Sequence, residues 1–94
     1  MIPPGWEMTK YDKLEQRIRS KPIPRNIKDA EMSVFLAHNG FALRKFRRGS
    51  HKIWTAPGVE GITISEKNGA IPTYQIKKAI EAIDRLKVNR DEKQ

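Results

Sequence analysis

His51 closes the run Arg44-Lys45-Phe46-Arg47-Arg48-Gly49-Ser50-His51-Lys52. Nine residues hold five fixed positive charges, one imidazole and no carboxylate. An imidazole is the side chain whose ordinary ionisation lies nearest neutrality, so it can take up and return a proton at physiological pH. Guanidinium and ammonium groups bind phosphoryl oxygens and stabilise the charge that develops on them. Together these types suit one chemistry, proton transfer at a phosphodiester. In RNA a base that removes the 2′-hydroxyl proton permits in-line attack on the adjacent phosphorus, with departure of the 5′-oxygen. On this reading His51 is the candidate catalytic residue. Arg47, Arg48, Lys52 and Lys45 are the candidate phosphate ligands, and Gly49 and Ser50 form the turn beside them and are candidate RNA-binding residues with them. The route demands no metal, and the sequence offers no carboxylate pair placed to hold one. The competing reading of His51 is an inert polar residue at a hairpin base. His38, near the end of a helix, is assigned no chemistry. Tyr74, at the start of the last helix, can either reach the site or pack on the core.

Those residues need elements to hold them, and the 94 residues are enough for one small domain. Apolar residues make up 37% and charged residues 32% of the chain, too apolar and too regularly patterned for a disordered segment. The net charge of +8 and an isoelectric point near 10.1 favour an anionic partner. The absence of cysteine excludes disulfides, thiolate metal sites and a cysteine nucleophile. Two histidines far apart in sequence make a poor zinc site. No apolar run approaches the ~18 residues of a membrane span, and no apolar signal-peptide core opens the chain. The expectation is therefore a cytoplasmic protein with no cofactor.

Tyr11, Leu14 and Ile18 recur at helical spacing between about Lys10 and Ser20, with Thr9 as the expected N-cap. Pro22 and Pro24 stop that helix. Met32, Phe35 and Leu36 form the stripe of a second helix from about Lys28 to Asn39. Asn26 or Asp29 is its expected cap, and Gly40 its stop. The period then becomes two. Phe41–Phe46 and His51–Ala56 read as strands around a type II′ turn at Gly49-Ser50. Pro57-Gly58 opens a second turn, Ile62–Ser65 is a third strand, and Lys67-Asn68-Gly69 is a loop. The last helix runs from Pro72-Thr73 to about Leu86 or Val88, with Ile76, Ala79, Ile80, Ile83 and Leu86 on its apolar face.

This predicts an α+β fold: a three-stranded antiparallel sheet with two helices on one face, and a helical extension in front. Residues 1–26 form the extension, with its short helix and proline-containing linker. Residues 27–88 form the α-β-β-β-α domain, and residues 89–94 a polar tail. Alternation places His51, Ile53 and Thr55 on one side of the second strand and Lys52, Trp54 and Ala56 on the other. If Trp54 lies beneath the helices, His51 faces the open side; if Ile53 is the buried residue, His51 points inward near the sheet edge.

The order helix, Gly40-Phe41, strand, Gly49-Ser50-His51, strand, Pro57-Gly58, strand, then Pro72-Thr73-Tyr74-Gln75-Ile76-Lys77 opening a helix resembles the HicA toxins of bacterial toxin–antitoxin systems. Ser20-Lys21-Pro22 resembles the leading segment of one HicA subgroup, and the likeness covers roughly Lys10 to Leu86. The resemblance implies a fold like a double-stranded-RNA-binding domain and an endoribonuclease that cleaves mRNA and blocks translation. It also implies that His51 is the catalytic histidine and that an acidic HicB-like antitoxin is the partner. Lys52 stands where many members carry a second histidine. Ile64-Ser65-Glu66-Lys67 replaces a stretch with Pro and His, and Lys28 replaces a helix-capping Thr. Two other readings remain: a non-catalytic double-stranded-RNA-binding module, and a subunit whose basic face docks an acidic protein. A helix-turn-helix DNA binder fits poorly, because the basic cluster lies on strands.

Overall fold

The computed structural model describes residues 9–46 and 51–92. Their order is α1 (Lys10–Ile18), α2 (Asp29–His38), β1 (Ala42–Phe46), β2 (Lys52–Thr55), β3 (Ile62–Ile64) and α3 (Thr73–Glu92). The strands form one antiparallel meander in the order β1-β2-β3. Trp54, Ile62 and Ile64 are buried on the side that meets α2 and α3, whereas Thr63 between them is exposed. The protein is a small α+β domain, and the sheet turns one face to its helices.

Local chemistry sets the ends of each element. Thr9 and Asp12 cap α1 reciprocally. The Asp12 amide donates to the Thr9 hydroxyl at 3.0 Å, and the Thr9 amide donates to the Asp12 carboxylate at 3.1 Å. α2 departs from expectation, since its N-cap is Lys28 rather than Asn26 or Asp29. A lysine side chain has no acceptor for the orphan amides, so two carboxylates supply acceptors, one from the first turn of α2 and one from beyond β3. Glu31 accepts from the Lys28 amide at 2.9 Å, and Glu66, beyond β3, accepts from the Asp29 amide at 2.7 Å. The Lys28 ammonium instead bonds the Gly69 carbonyl. At the far end of α2, Phe41 N–H reaches Leu36 O (3.0 Å) and Gly40 N–H reaches Ala37 O (3.2 Å). This is a Schellman closure, with Gly40 at φ 92° and the buried Phe41 and Leu36 at its two ends.

The turns are equally specific. Gly58 at φ 82° and a Val59 N–H to Ala56 O bond of 3.4 Å make Ala56–Val59 a type II turn with Pro57 leading. Lys67-Asn68-Gly69, expected as a loop, is tighter than that. Asn68 and Gly69 both have positive φ, and Lys67 and Ala70 exchange backbone hydrogen bonds, which defines a two-residue type I′ turn.

Ile18, Ile27, Met32, Phe35, Leu36, Ile64, Ile71, Ile76 and Ile83 are all essentially inaccessible and form the centre of the core. α1 belongs to that core rather than standing in front of it. Ile18 is fully buried, Arg17 pairs with Glu31 of α2, and Arg19 pairs with Asp84 of α3 at 2.9 Å. Burial pushes the Glu31 carboxyl up, but the Lys28 amide and the Arg17 guanidinium outweigh it and hold the group below its ordinary value. A carboxyl depressed in the folded state stabilises at neutral pH, and that contribution is lost as the pH falls through its folded value.

α3 continues to Glu92, through most of the segment expected to be a polar tail. Asn89-Arg90-Asp91-Glu92 carries no apolar periodicity to announce a helix, yet nothing in it breaks one. Among the described residues no helix is long and apolar enough to cross a membrane.

Candidate active site

His51 immediately precedes β2 and is exposed. The side it faces follows from Trp54, which is 6% exposed beneath the helices. Alternation from Trp54 puts Ile53 and His51 on the opposite, open side. Ile53 pairs with Thr63 and Lys52 with Ile64; one step further along the ladder, His51 comes level with Ser65.

There His51 forms part of the wall of a cleft of about 480 Å³, within the usual range for ligand sites. Thr63 and Ser65 on and beside β3 line it, and Tyr74, Lys78 and Arg85 line it from α3. Glu60 and Glu81 complete the rim.

One buried amide organises this wall. Gln75 is 6% exposed. Its carbonyl accepts from the Ser65 amide at 2.9 Å, and its NH₂ donates to the Ser65 hydroxyl at 3.1 Å and to the Tyr74 hydroxyl at 3.2 Å. The amide thus fixes the end of β3 against the first turn of α3 and holds the Tyr74 phenol, while Tyr74 as a whole is 61% exposed. Ser65 and Gln75 line the candidate site, and sequence reasoning assigned them no part in it. A signal was present, because Gln75 falls on the apolar stripe four residues before Ala79 and eight before Ile83. A polar side chain at such a position must find buried partners.

The residues expected around His51 fare differently. Lys52 lies on the helix side of β2, with its ammonium paired to Asp29 of α2 and its side chain 20% exposed. The structure therefore does not bring Lys52 to the side of β2 that His51 faces. The alternation that exposes His51 sends its neighbour inward, where a half-buried carboxylate holds it. Asp29 needs that partner, since its second oxygen is buried without a hydrogen bond. Lys52→Ala is accordingly expected to lower unfolding stability by about 1–3 kcal/mol, the cost of stranding a buried polar group. Denaturant unfolding checks this, and an unchanged midpoint would contradict the structural role.

Lys45 lies in β1 with its backbone opposite Ile53. The register slips between Leu43 and Lys45, leaving Arg44 as the extra residue of a bulge that simple alternation does not foresee. Arg47, Arg48, Gly49 and Ser50, with the expected type II′ turn, lie outside the described residues. His38 stacks on Tyr11 of α1, with ring centroids 3.5 Å apart. Burial pushes the Tyr11 phenol above its ordinary value, opposed by the hydrogen bond from Asn39. Among the described residues no cluster of three or more His, Asp or Glu side chains is arranged to hold a metal ion.

Comparison of the chain with protein-family models, with curated proteins and with solved structures returned no match.

Proposed function

We propose that this domain is a metal-independent endoribonuclease that cleaves mRNA and blocks translation, the toxin of a toxin–antitoxin pair of the HicA–HicB kind. The observation that carries the reading is the exposed imidazole of His51 at the wall of a cleft, in a chain of net charge +8. The imidazole accepts the 2′-hydroxyl proton, and the 2′-oxygen attacks the adjacent phosphorus. The bond from phosphorus to the 5′-oxygen then breaks, and that oxygen takes a proton from the imidazolium or from water as it leaves. The products are a 2′,3′-cyclic phosphate and a 5′-hydroxyl. Lys45, Arg47, Arg48, Gly49 and Ser50 are the proposed RNA- and phosphate-binding residues, and Lys52 is left to Asp29.

The meander with α2 and α3 against one face supports a fold of the double-stranded-RNA-binding type. The sequence resemblance supports an acidic HicB-like protein as the partner that covers the site, and an mRNA substrate places the reaction in the cytoplasm. A non-catalytic RNA-binding module shares the fold and the charge, and the cleft-side imidazole favours catalysis over it. Induced expression in a bacterial host tests the proposal. Growth arrest with fragmented transcripts is expected, and normal growth with intact transcripts would contradict it.

A further inference from the structure

The cleft beside His51 differs from the basic stretch in charge. Lys78 and Arg85 at its rim are matched by Glu60 and Glu81. A balanced rim is a poor trap for phosphate, which the chain's overall cationic surplus attracts without it. The cleft instead offers an aromatic side chain, Tyr74. Tyr74 is 61% exposed, yet its hydroxyl is held by the buried Gln75 amide, which also grips Ser65 at the end of β3. A largely exposed ring tethered at its tip has already lost much of its freedom, so a planar ligand stacking on it meets a smaller ordering cost. Glu60 and Glu81, which line the same cleft, can accept hydrogen bonds from the exocyclic amino groups of bases.

We propose that this cleft is a base-binding pocket for single-stranded RNA, in which Tyr74 stacks under a nucleobase next to the phosphodiester presented to His51. Tyr74 is a positioning residue, and Gln75 holds it in place. A paired base is stacked within its helix and cannot enter such a pocket, whereas an unpaired base is free to splay onto an aromatic side chain. The pocket therefore selects unpaired strands. The inference takes the chemistry of its ligand from the ribonuclease reading, but it concerns binding and is testable without cleavage.

The probe is a short fluorescent oligoribonucleotide methylated at every 2′-oxygen, which cannot be cut by the proposed route, used alone and annealed to its complement. Binding is measured for the wild-type chain and for Tyr74→Leu, Tyr74→Phe and Tyr74→Trp, each checked by thermal unfolding. Tyr74→Leu is expected to bind the single strand roughly 5- to 150-fold more weakly, which corresponds to the ~1–3 kcal/mol of one stacked base. Tyr74→Phe and Tyr74→Trp keep an aromatic ring but lose the hydroxyl that Gln75 holds, so both should bind the single strand more tightly than Tyr74→Leu and somewhat more weakly than wild type, and all four proteins should bind the duplex alike. The inference is overturned if Tyr74→Leu binds the single strand as tightly as wild type, if it loses affinity equally for strand and duplex, or if the wild-type chain binds neither. Binding that depends on Tyr74, in a protein that never cuts unmodified RNA, would remove the nuclease reading and leave the base pocket standing.

Discussion

Replacing His51 with alanine is expected to slow RNA strand scission by about 10²–10⁴-fold, the usual contribution of a general acid–base group. The same variant should lift growth arrest and unfold at the same temperature as wild type. The two halves of that expectation come from different observations. Loss of rate follows if the proposed acceptor of the 2′-hydroxyl proton is removed. Retained stability follows from exposure, because His51 lies outside the core and truncating an exposed side chain usually changes stability by less than ~0.5 kcal/mol. A variant that loses activity and melts early would point to a structural histidine instead. His51→Gln sharpens the comparison, since it keeps a polar side chain of similar reach but has no imidazole to take up and return a proton. It should be as slow as alanine.

The largest stability effect is expected at Phe35, well away from the cleft chemistry. Its side chain is fully buried at the centre of α2, and the Arg19 guanidinium lies 6.0 Å from its ring centroid. Phe35→Ala removes that packing and leaves a cavity, at a cost of about 3–5 kcal/mol. Domains of this size have few kcal/mol to spare, typically ~5–15 in all. The variant should therefore lose most of its margin and melt more than ~10 °C lower. Phe35→Leu should fall between the two. A loss below ~1 kcal/mol in denaturant unfolding would contradict the arrangement in which α1, α2 and α3 share one core around this ring.

The elements were legible where side-chain periodicity and turn chemistry agreed. Ile76, Ala79 and Ile83 announce the buried face of α3, Gly40 marks the Schellman closure, and Pro57-Gly58 marks a type II turn. Trp54 settled the side that His51 faces, because the larger ring took the buried position and Ile53 the half-buried one. What was not legible depended on partners distant in sequence. Capping of α2 by Glu66 joins residues 37 positions apart, and no local pattern at Lys28 foretells it. Lys52 read as a phosphate ligand because its neighbours are cationic; only the packing of α2 on the sheet reveals Asp29 as its partner. Arg44 broke the alternation through a bulge that neither flanking residue signals. In the cleft, Tyr74 was visible as a residue able to reach the site, whereas Ser65 and Gln75 acquire meaning only when β3 and the first turn of α3 are set side by side.

The departures from the HicA pattern follow the same logic. Lys28 bonds the Gly69 carbonyl, Lys52 neutralises Asp29, Ser65 binds Gln75, and Glu66 caps α2. Each is engaged in holding the fold, and His51 remains exposed among them.

The most direct measurement is strand scission by wild type and His51→Ala, in the presence of a chelator, on an RNA and on the same strand lacking its 2′-hydroxyls. The account predicts that wild type cuts only the RNA, leaves a 2′,3′-cyclic phosphate, and outpaces His51→Ala by about two orders of magnitude or more. Equal rates for the two proteins, or cutting of the strand without 2′-hydroxyls, would contradict it.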